Sequence, residues 1–141
     1  MRIFLDTNVL VSAFATRGLC ADLLRHVLLE HELLTGEVNL TELRRVLKNK
    51  LRVPEATVDA IEELPRGQTV VPKPRKRLDV EIRDPADAWV LASAVAADSD
   101  LLVTGDRDLL DIESQAPVQI VDPRGCWKAL RQRRRWKPVD R

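Results

Sequence analysis

Short, wholly apolar segments alternate along this chain with longer segments whose apolar residues recur at helical spacing. Strands that are apolar on both faces are typical of parallel sheets covered by helices, and their alternation with helices indicates the same class. We therefore predict an α/β fold with three layers, α/β/α, around a central and mostly parallel sheet. The strands are predicted at residues 2–5, 31–36, 68–72, 101–106 and 118–122. The helices are predicted at residues 17–30, 39–51, 53–67, 84–100 and 123–132.

The length and composition indicate one soluble domain. A chain of 141 residues suits a single domain and needs neither a disulfide nor a structural metal to support its core. No apolar stretch approaches the roughly 20 residues of a membrane-spanning helix, and the first apolar run ends at Asp6, too soon for a signal peptide. We therefore expect a cytoplasmic protein with no membrane association. Cys20 and Cys126 form no CxxC pair or Cys/His cluster, so we expect both thiols to be reduced and packed.

The C-terminal end carries most of the positive charge. Residues 124–141 hold eight Lys or Arg and one acid, a net charge of +7, which leaves −6 for residues 1–123 within the total of +1. We divide the chain accordingly into a folded domain, 1–123, and a basic C-terminal helix and tail, 124–141. Basic residues beside tryptophan rings suit a phosphate backbone and unpaired bases, and a charged end that only keeps the protein soluble fits equally well. The candidate nucleic-acid-binding residues are Arg131, Arg133, Arg134, Arg135 and Trp136.

Four acidic residues fall at the carboxyl edge of the predicted sheet. Asp6 ends the first strand, and Glu42 lies near the start of the helix after the second. Asp87 lies in the first turn of the most apolar helix, and Asp106 ends the fourth strand. Ligands of open parallel sheets bind outside the carboxyl ends of the strands. With short, right-handed connections, the four side chains are expected to converge there.

Each of the four acids also has a structural explanation. Asn39 and Glu42 match a capping box, in which Glu42 serves only to begin a helix. Asp87 suits the positive end of the helix dipole, and Asp106 suits an N-cap or a turn. Asp6 suits a turn with Asn8. These alternatives stay open for each residue taken singly.

A cluster of four acids needs positive charge to offset its repulsion. Two ionised carboxylates about 5 Å apart repel each other by roughly 3 kcal/mol at an effective dielectric constant of about 20. The neighbouring Arg44 and Arg45 are expected to face outward, which leaves shared protons or a divalent cation. His26 and His31 lie away from the acids and are expected to be structural, which disfavours zinc, whereas all-oxygen ligands favour Mg²⁺ or Mn²⁺. Such an ion on carboxylates handles phosphates, so the pattern indicates hydrolysis of a phosphate ester by water.

The order and context of these motifs resemble the PIN domain family. The resemblance rests on "IFLDTNVLVSAF" near the start, "TELRRVL" with its acid at position 42, and "DPADAWVLASAVAADSDLLVTGDRDLL" in the last third, and it covers residues 1–123. It is nearest to the bacterial VapC-like toxins of toxin–antitoxin pairs. It implies a parallel sheet between helices, a Mg²⁺- or Mn²⁺-dependent ribonuclease, an antitoxin protein as partner, and a homodimer.

The resemblance also assigns roles to individual residues. By their match to the acids of the family, the catalytic residues and metal ligands would be Asp6, Glu42, Asp87 and Asp106. The side chains that would orient those carboxylates or a water molecule are Thr7, Asn8, Thr104 and Asp108. Asp108 also competes with Asp106 for the fourth acidic position.

Two other functions are compatible with the sequence. A PIN-like module that binds RNA or a partner without catalysis does not need all four acids. A phosphatase with an aspartate nucleophile needs a second Asp two residues after the first, where this chain has Asn8. It also needs a Lys near the last acids, and none is evident.

Overall fold

The predicted parallel sheet is present. The computed structural model describes the backbone of residues 1–135 and the side chains of residues 1–132. Within this part of the chain, five strands form one sheet in the order β3-β2-β1-β4-β5, and every neighbouring pair is parallel. The strands are β1 Arg2–Leu5, β2 Glu32–Gly36, β3 Thr69–Val71, β4 Leu101–Val103 and β5 Gln119–Val121.

Helices cover both faces of the sheet, which confirms the three-layer α/β/α fold. The helices that the structure describes are α1 Thr7–Ala15, α2 Leu19–Glu30, α3 Glu37–Arg45, α4 Glu55–Arg66, α5 Pro85–Ala96, the single turn α6 Arg107–Leu110 and α7 Pro123–Arg135. A π-helical turn, Val46–Lys50, continues α3, and a 3₁₀ turn spans Glu113–Gln115. Helix α1 was not among the predicted helices.

The core lies on both sides of the sheet because successive strand residues point to opposite faces. Ile3 and Leu5 of β1 belong to an apolar cluster with helices α1 to α4 and α7. Phe4, between them, belongs to the cluster on the other face, with α5 and α6. The wholly apolar strands of the sequence therefore have the expected cause, which is burial of both faces.

The C-terminal helix joins the first of these clusters. Cys126 and Leu130 of α7 are buried within it, so the basic segment begins inside the core. Cys20 and Cys126 are free thiols, as predicted. Arg131 is exposed on α7. The other candidate nucleic-acid-binding side chains, Arg133, Arg134, Arg135 and Trp136, lie outside the described residues.

The strand order places a crevice next to β1. The chain runs from β1 outward to β2 and β3, and it then returns to β4 on the other side of β1. The connections after β1 and after β4 therefore leave the sheet in opposite directions, which is where open α/β sheets bind ligands. Asp6 follows β1 and Thr104 follows β4, so both lie at this point. No helix within the described residues has the length and apolarity needed to span a membrane.

Candidate functional site

The structure brings the four predicted acids into one cleft. Asp6, Glu42, Asp87 and Asp106 all line a cleft of about 770 Å³ at the carboxyl edge of the sheet. They arrive from four different places: the end of β1, helix α3, the first turn of α5 and the residue before α6. Residues separated by up to 100 positions in the sequence therefore share one small volume.

Asp6 is held rigidly at the bottom of this cleft. Its side chain is 4% exposed, and both carboxylate oxygens accept hydrogen bonds. Oδ1 accepts from the backbone N–H of Thr7 at 2.7 Å and from Asn39 Nδ2 at 2.9 Å, while Oδ2 accepts from Thr104 Oγ1 at 2.7 Å. Burial raises the pKa of Asp6 above its usual value, and the hydrogen bond from Thr104 is the largest effect in the opposite direction. The ionised form of Asp6 is thus disfavoured by burial and stabilised by its hydrogen-bond donors.

Thr104 connects Asp6 to the loop that carries Asp106. Its hydroxyl donates to Asp6 and accepts from the backbone N–H of Asp106 at 3.0 Å. Asn8 reinforces this connection, since its Nδ2 lies 3.3 Å from Thr104 Oγ1 and its Oδ1 accepts from the N–H of Gly105 at 2.9 Å. Of the predicted orienting residues, Thr104 and Asn8 therefore tie the ends of β1 and β4 together.

Asn39 is a site residue that the sequence analysis misassigned. The predicted capping box is wrong, because α3 begins at Glu37 with Gly36 as its N-cap, which places Asn39 inside the helix. Asn39 is fully buried, and its amide donates to Asp6 Oδ1 at 2.9 Å and to Thr7 Oγ1 at 3.2 Å. The available signal was its spacing, since Asn39 lies four residues before Leu43 and so shares the buried face of α3.

Gly36 allows α3 to start this close to α5. A Cβ added at Gly36 would lie 3.1 Å from Asn39 Oδ1 and 3.1 Å from Ser93 Cβ. The absence of a side chain at the end of β2 therefore lets Asn39 reach Asp6.

Asp87, Asp106 and Asp108 form a close group of carboxylates. One carboxylate oxygen of each lies within 4.8 Å of the others. Asp87 is 7% exposed, and its pKa is raised to about 8, first by burial and then by its hydrogen bond and charge interaction with Asp106. Among the described residues, Asp87 Oδ2 is buried without a hydrogen-bond partner. Asp106 also caps α6 by accepting from the N–H of Asp108 at 2.9 Å, so the structural explanation of this acid holds as well.

Glu42 lies in the cleft but is paired with a cation. Arg45 donates to it through Nε at 3.0 Å and Nη2 at 2.5 Å, and this hydrogen bonding is the main reason that the pKa of Glu42 is lowered. Arg45 is exposed, as expected, but it does not stay away from the acids, since it also lines the cleft. Arg44 instead pairs with α4, at 2.6 Å from Asp59.

The π-helical turn brings a second cation to this wall. Its hydrogen bond from Leu51 N–H to the Val46 carbonyl spans five residues, one more than in an α-helix. Arg45 and Lys50 have this separation, and both line the cleft.

The donor set fits a hard divalent cation. The three clustered groups are carboxylates, one of them has an unpaired buried oxygen, and no His or Cys lines the cleft within the described residues. Oxygen-only ligands of this kind suit Mg²⁺ or Mn²⁺ better than zinc. Asp87, Asp106 and Asp108 are the residues placed to hold such an ion.

Comparison with protein families is decisive for the class of protein. The model of the PIN domain matches residues 2–108, which is more than half of the chain. The chain belongs to the PIN domain family. This PIN domain contains, in one cleft, the four acids that its motifs predicted.

Solved structures agree on the fold. VapBC2 from Rickettsia felis, bound to a DNA fragment from its promoter, matches with a TM-score of 0.61 at 15% identity, over 86% of this chain and 98% of that one. VapBC-1 from nontypeable Haemophilus influenzae matches with a TM-score of 0.61 at 18% identity, over 88% and 99%. FitAcB from Neisseria gonorrhoeae matches with a TM-score of 0.60 at 21% identity, over 86% and 97%. No curated protein matches the sequence.

Proposed function

We propose that this PIN domain is a Mg²⁺- or Mn²⁺-dependent endoribonuclease. The observation that carries the proposal is the convergence of Asp6, Glu42, Asp87 and Asp106 on one cleft at the edge of the sheet. Carboxylate oxygens of Asp87, Asp106 and Asp108 lie within 4.8 Å of one another, and ionised carboxylates at that distance repel each other unless a cation joins them. A fold that gathers them is therefore suited to hold a metal ion and to bind a phosphate through it.

The side chains divide the work according to their surroundings. Asp87, Asp106 and Asp108 would hold the ion, with Asp6 and Glu42 completing the acidic wall as further ligands. When bound, a divalent cation supplies positive charge for the phosphoryl oxygens and makes water a better nucleophile. Thr104, Asn8 and Asn39 keep Asp6 in one orientation through their hydrogen bonds, and Thr7 contributes its backbone N–H.

The proton on Asp87 has a direct consequence for metal binding. With a pKa of about 8, Asp87 holds a proton at neutral pH in the metal-free protein. Because a carboxylate must lose its proton to bind a metal, we expect metal affinity to rise with pH up to about pH 8.

We further propose that the enzyme is the toxin of a toxin–antitoxin pair. The VapC-like motifs support this assignment, and so do the VapBC2, VapBC-1 and FitAcB structures that share its fold. The partner would be an antitoxin protein that covers the acidic cleft, and an Arg of the antitoxin would suit the carboxylates there. An RNA substrate and an antitoxin partner would both support a cytoplasmic location, and a homodimer is expected by family resemblance.

RNA cleavage tests the nuclease proposal. Single-stranded RNA, tRNA and DNA are incubated with the protein in Mn²⁺, Mg²⁺ or EDTA, and the products are mapped on sequencing gels. We expect RNA fragments only with metal, and a loss of several orders of magnitude in the Asp6→Asn variant. Asp79→Asn, an exposed acid outside the cleft, is the matched control and should cleave normally.

The same assay separates the rival functions. RNA that binds but stays intact in every metal supports a non-catalytic module. Rapid turnover of an aryl phosphate would support the phosphatase, which the structure disfavours because Asn8 presents an amide to Asp6 at 3.4 Å where that chemistry needs a second acid.

A further inference from the structure

One wall of the cleft carries an aromatic ring with two cations over it. Trp89 of α5 is half-buried and lines the cleft together with Asp87. The Lys73 ammonium lies 4.3 Å from the centroid of the Trp89 ring, and the guanidinium carbon of Arg77 lies 6.0 Å from it. Both cations are exposed and belong to the irregular segment 72–84 between β3 and α5.

The ring of Trp89 is not explained by core packing. Trp127 packs against an apolar cluster of the core, but among the described residues Trp89 is a member of neither cluster. Cation–π pairs at exposed sites are weak, so Lys73 and Arg77 do not account for a tryptophan here either. A large ring at the wall of a cleft, outside the core, suits contact with a ligand that has a flat apolar face.

The charges of the cleft indicate what that ligand is. The acids Asp87 and Asp106 share the cleft with Lys73 and Lys50, so negative and positive groups line the same space. A nucleic-acid strand with one phosphate at the acids would place further phosphates within reach of the cations. Its bases have the flat faces that stack on tryptophan.

We infer that Trp89, Lys73 and Arg77 form a binding subsite for one unpaired nucleotide of an RNA strand, adjacent to the phosphate held at the acids. This inference rests on the proposed ribonuclease function. The base stacks on the indole, and Lys73 and Arg77 turn from the ring to the phosphates on either side of that base. The segment 72–84 is irregular, so both side chains start from a backbone that no helix or strand fixes.

The subsite selects single strands. A base in an A-form duplex is stacked on its neighbours and has no free face for Trp89, whereas loops and unpaired strands offer their bases. Stacking accepts every base because each has a π-face. We therefore expect a strong preference for unpaired RNA and little preference for its sequence at this position.

Binding without cleavage tests this subsite. Fluorescein-labelled single-stranded RNA and a hairpin duplex are titrated in EDTA with the full-length wild type, Trp89→Phe and Trp89→Leu, with thermal melts to verify folding. We expect Trp89→Leu to weaken single-strand binding about 10- to 100-fold and duplex binding hardly at all, and Trp89→Phe to restore most of the loss. With Trp127 and Trp136 replaced by Phe, the fluorescence of Trp89 should be quenched by single-stranded RNA only.

The salt dependence of binding measures the contribution of the cations. Lys73→Gln should weaken single-strand binding and flatten the plot of log affinity against log salt by about 0.7, the value for one phosphate contact on a single strand. Lys76→Gln changes the same charge in the same segment, at a side chain that makes no cation–π contact with Trp89 among the described residues, and should leave the ratio of single-strand to duplex affinity unchanged.

The outcomes separate this inference from the nuclease proposal. If the wild type cleaves RNA and Trp89→Leu keeps the affinity and the single-strand preference of the wild type, the subsite is refuted and the nuclease stands. If single strands bind through Trp89 but no metal supports cleavage, the subsite stands and the nuclease is refuted. If single-stranded RNA binds neither in EDTA nor with Mn²⁺ and is not cleaved with either metal, both are refuted.

Discussion

Replacing Asp87 by Asn should stabilise the metal-free protein at high pH. The carboxylates of Asp87 and Asp106 lie within 4.8 Å of each other, and two charges at that distance repel by at least about 3 kcal/mol at an effective dielectric constant of about 20. The pKa of Asp87 gives an upper bound, because a rise from 3.8 to about 8 corresponds to about 6 kcal/mol at 1.36 kcal/mol per pH unit. We expect a gain of about 3 kcal/mol in the free energy of unfolding at pH 8.

The sign of the effect follows from where the proton sits. Between about pH 4 and pH 8 the folded state keeps a proton on Asp87 that the unfolded chain releases, so the stability of the wild type falls as the pH rises through this range. Below pH 4 the acid is protonated in both states, and its full contribution is present. Asn carries no charge at any pH, so the advantage of Asp87→Asn should be near zero at pH 4 and grow toward pH 8.

Urea denaturation followed by circular dichroism measures this difference. Wild type and Asp87→Asn are unfolded in EDTA at pH 5 and pH 8, with Asp79→Asn as the matched exposed control. Adding Mn²⁺ at 100 times its dissociation constant should then stabilise the wild type by about 3 kcal/mol and the variant by much less. A destabilising charge on Asp87 is refuted if Asp87→Asn is no more stable than the wild type at pH 8, or if its gain in the free energy of unfolding is the same at both pH values.

Three further changes test other parts of the site. Asn39→Ala removes one donor to Asp6 and should lower the free energy of unfolding by about 1–3 kcal/mol; an unchanged urea midpoint would contradict the role of this amide. Arg45→Gln should raise the pKa of Glu42 toward its usual value, which carbonyl ¹³C chemical shifts can follow. It should change the free energy of unfolding by only about 0–1 kcal/mol because the ion pair is exposed. An unchanged pKa of Glu42 would show that Arg45 does not control it. Deleting residues 131–141 should weaken RNA binding and flatten its salt dependence. If the slope of log affinity against log salt is unchanged, the tail does not contact phosphates and is only a solvated end.

The fold was predictable because a strand whose two faces are both buried is apolar at every position, and this pattern is easy to recognise in the sequence. Segments such as 101–103 are apolar throughout, which only a strand covered on both sides requires. The sequence signal for helix α1 was weaker. Val9, Leu10 and Ala13 are buried in the core, but the helix begins directly after Asp6, and its first residues are polar. The strands were therefore easier to predict than this first helix.

Asp6 and Asp106 were predictable because they follow β1 and β4, neighbouring strands whose ends meet. Glu42 and Asp87 were predicted from their places on helices that begin at the same edge of the sheet. The contacts that hold or oppose these acids were not predicted. Asn39 looked like a cap, but α3 begins three residues earlier, with Gly36 as an N-cap that makes no side-chain hydrogen bond. The contact of Arg45 with Glu42 is an i,i+3 pair within α3, so helical spacing alone could have predicted it. The hydrogen bond from Asn39 to Asp6 joins α3 to the end of β1, and its partner depends on a tertiary distance that helical spacing does not give.

Anomalous scattering from manganese would show directly whether the acidic cleft binds a divalent metal ion. Crystals of the wild type grown with MnCl₂ are measured at the manganese absorption edge, and the anomalous difference map is examined at the carboxyl edge of the sheet. We expect a peak bounded by the carboxylates of Asp87 and Asp106. A map with no peak in that cleft, at a manganese concentration that saturates other surface sites, would contradict it.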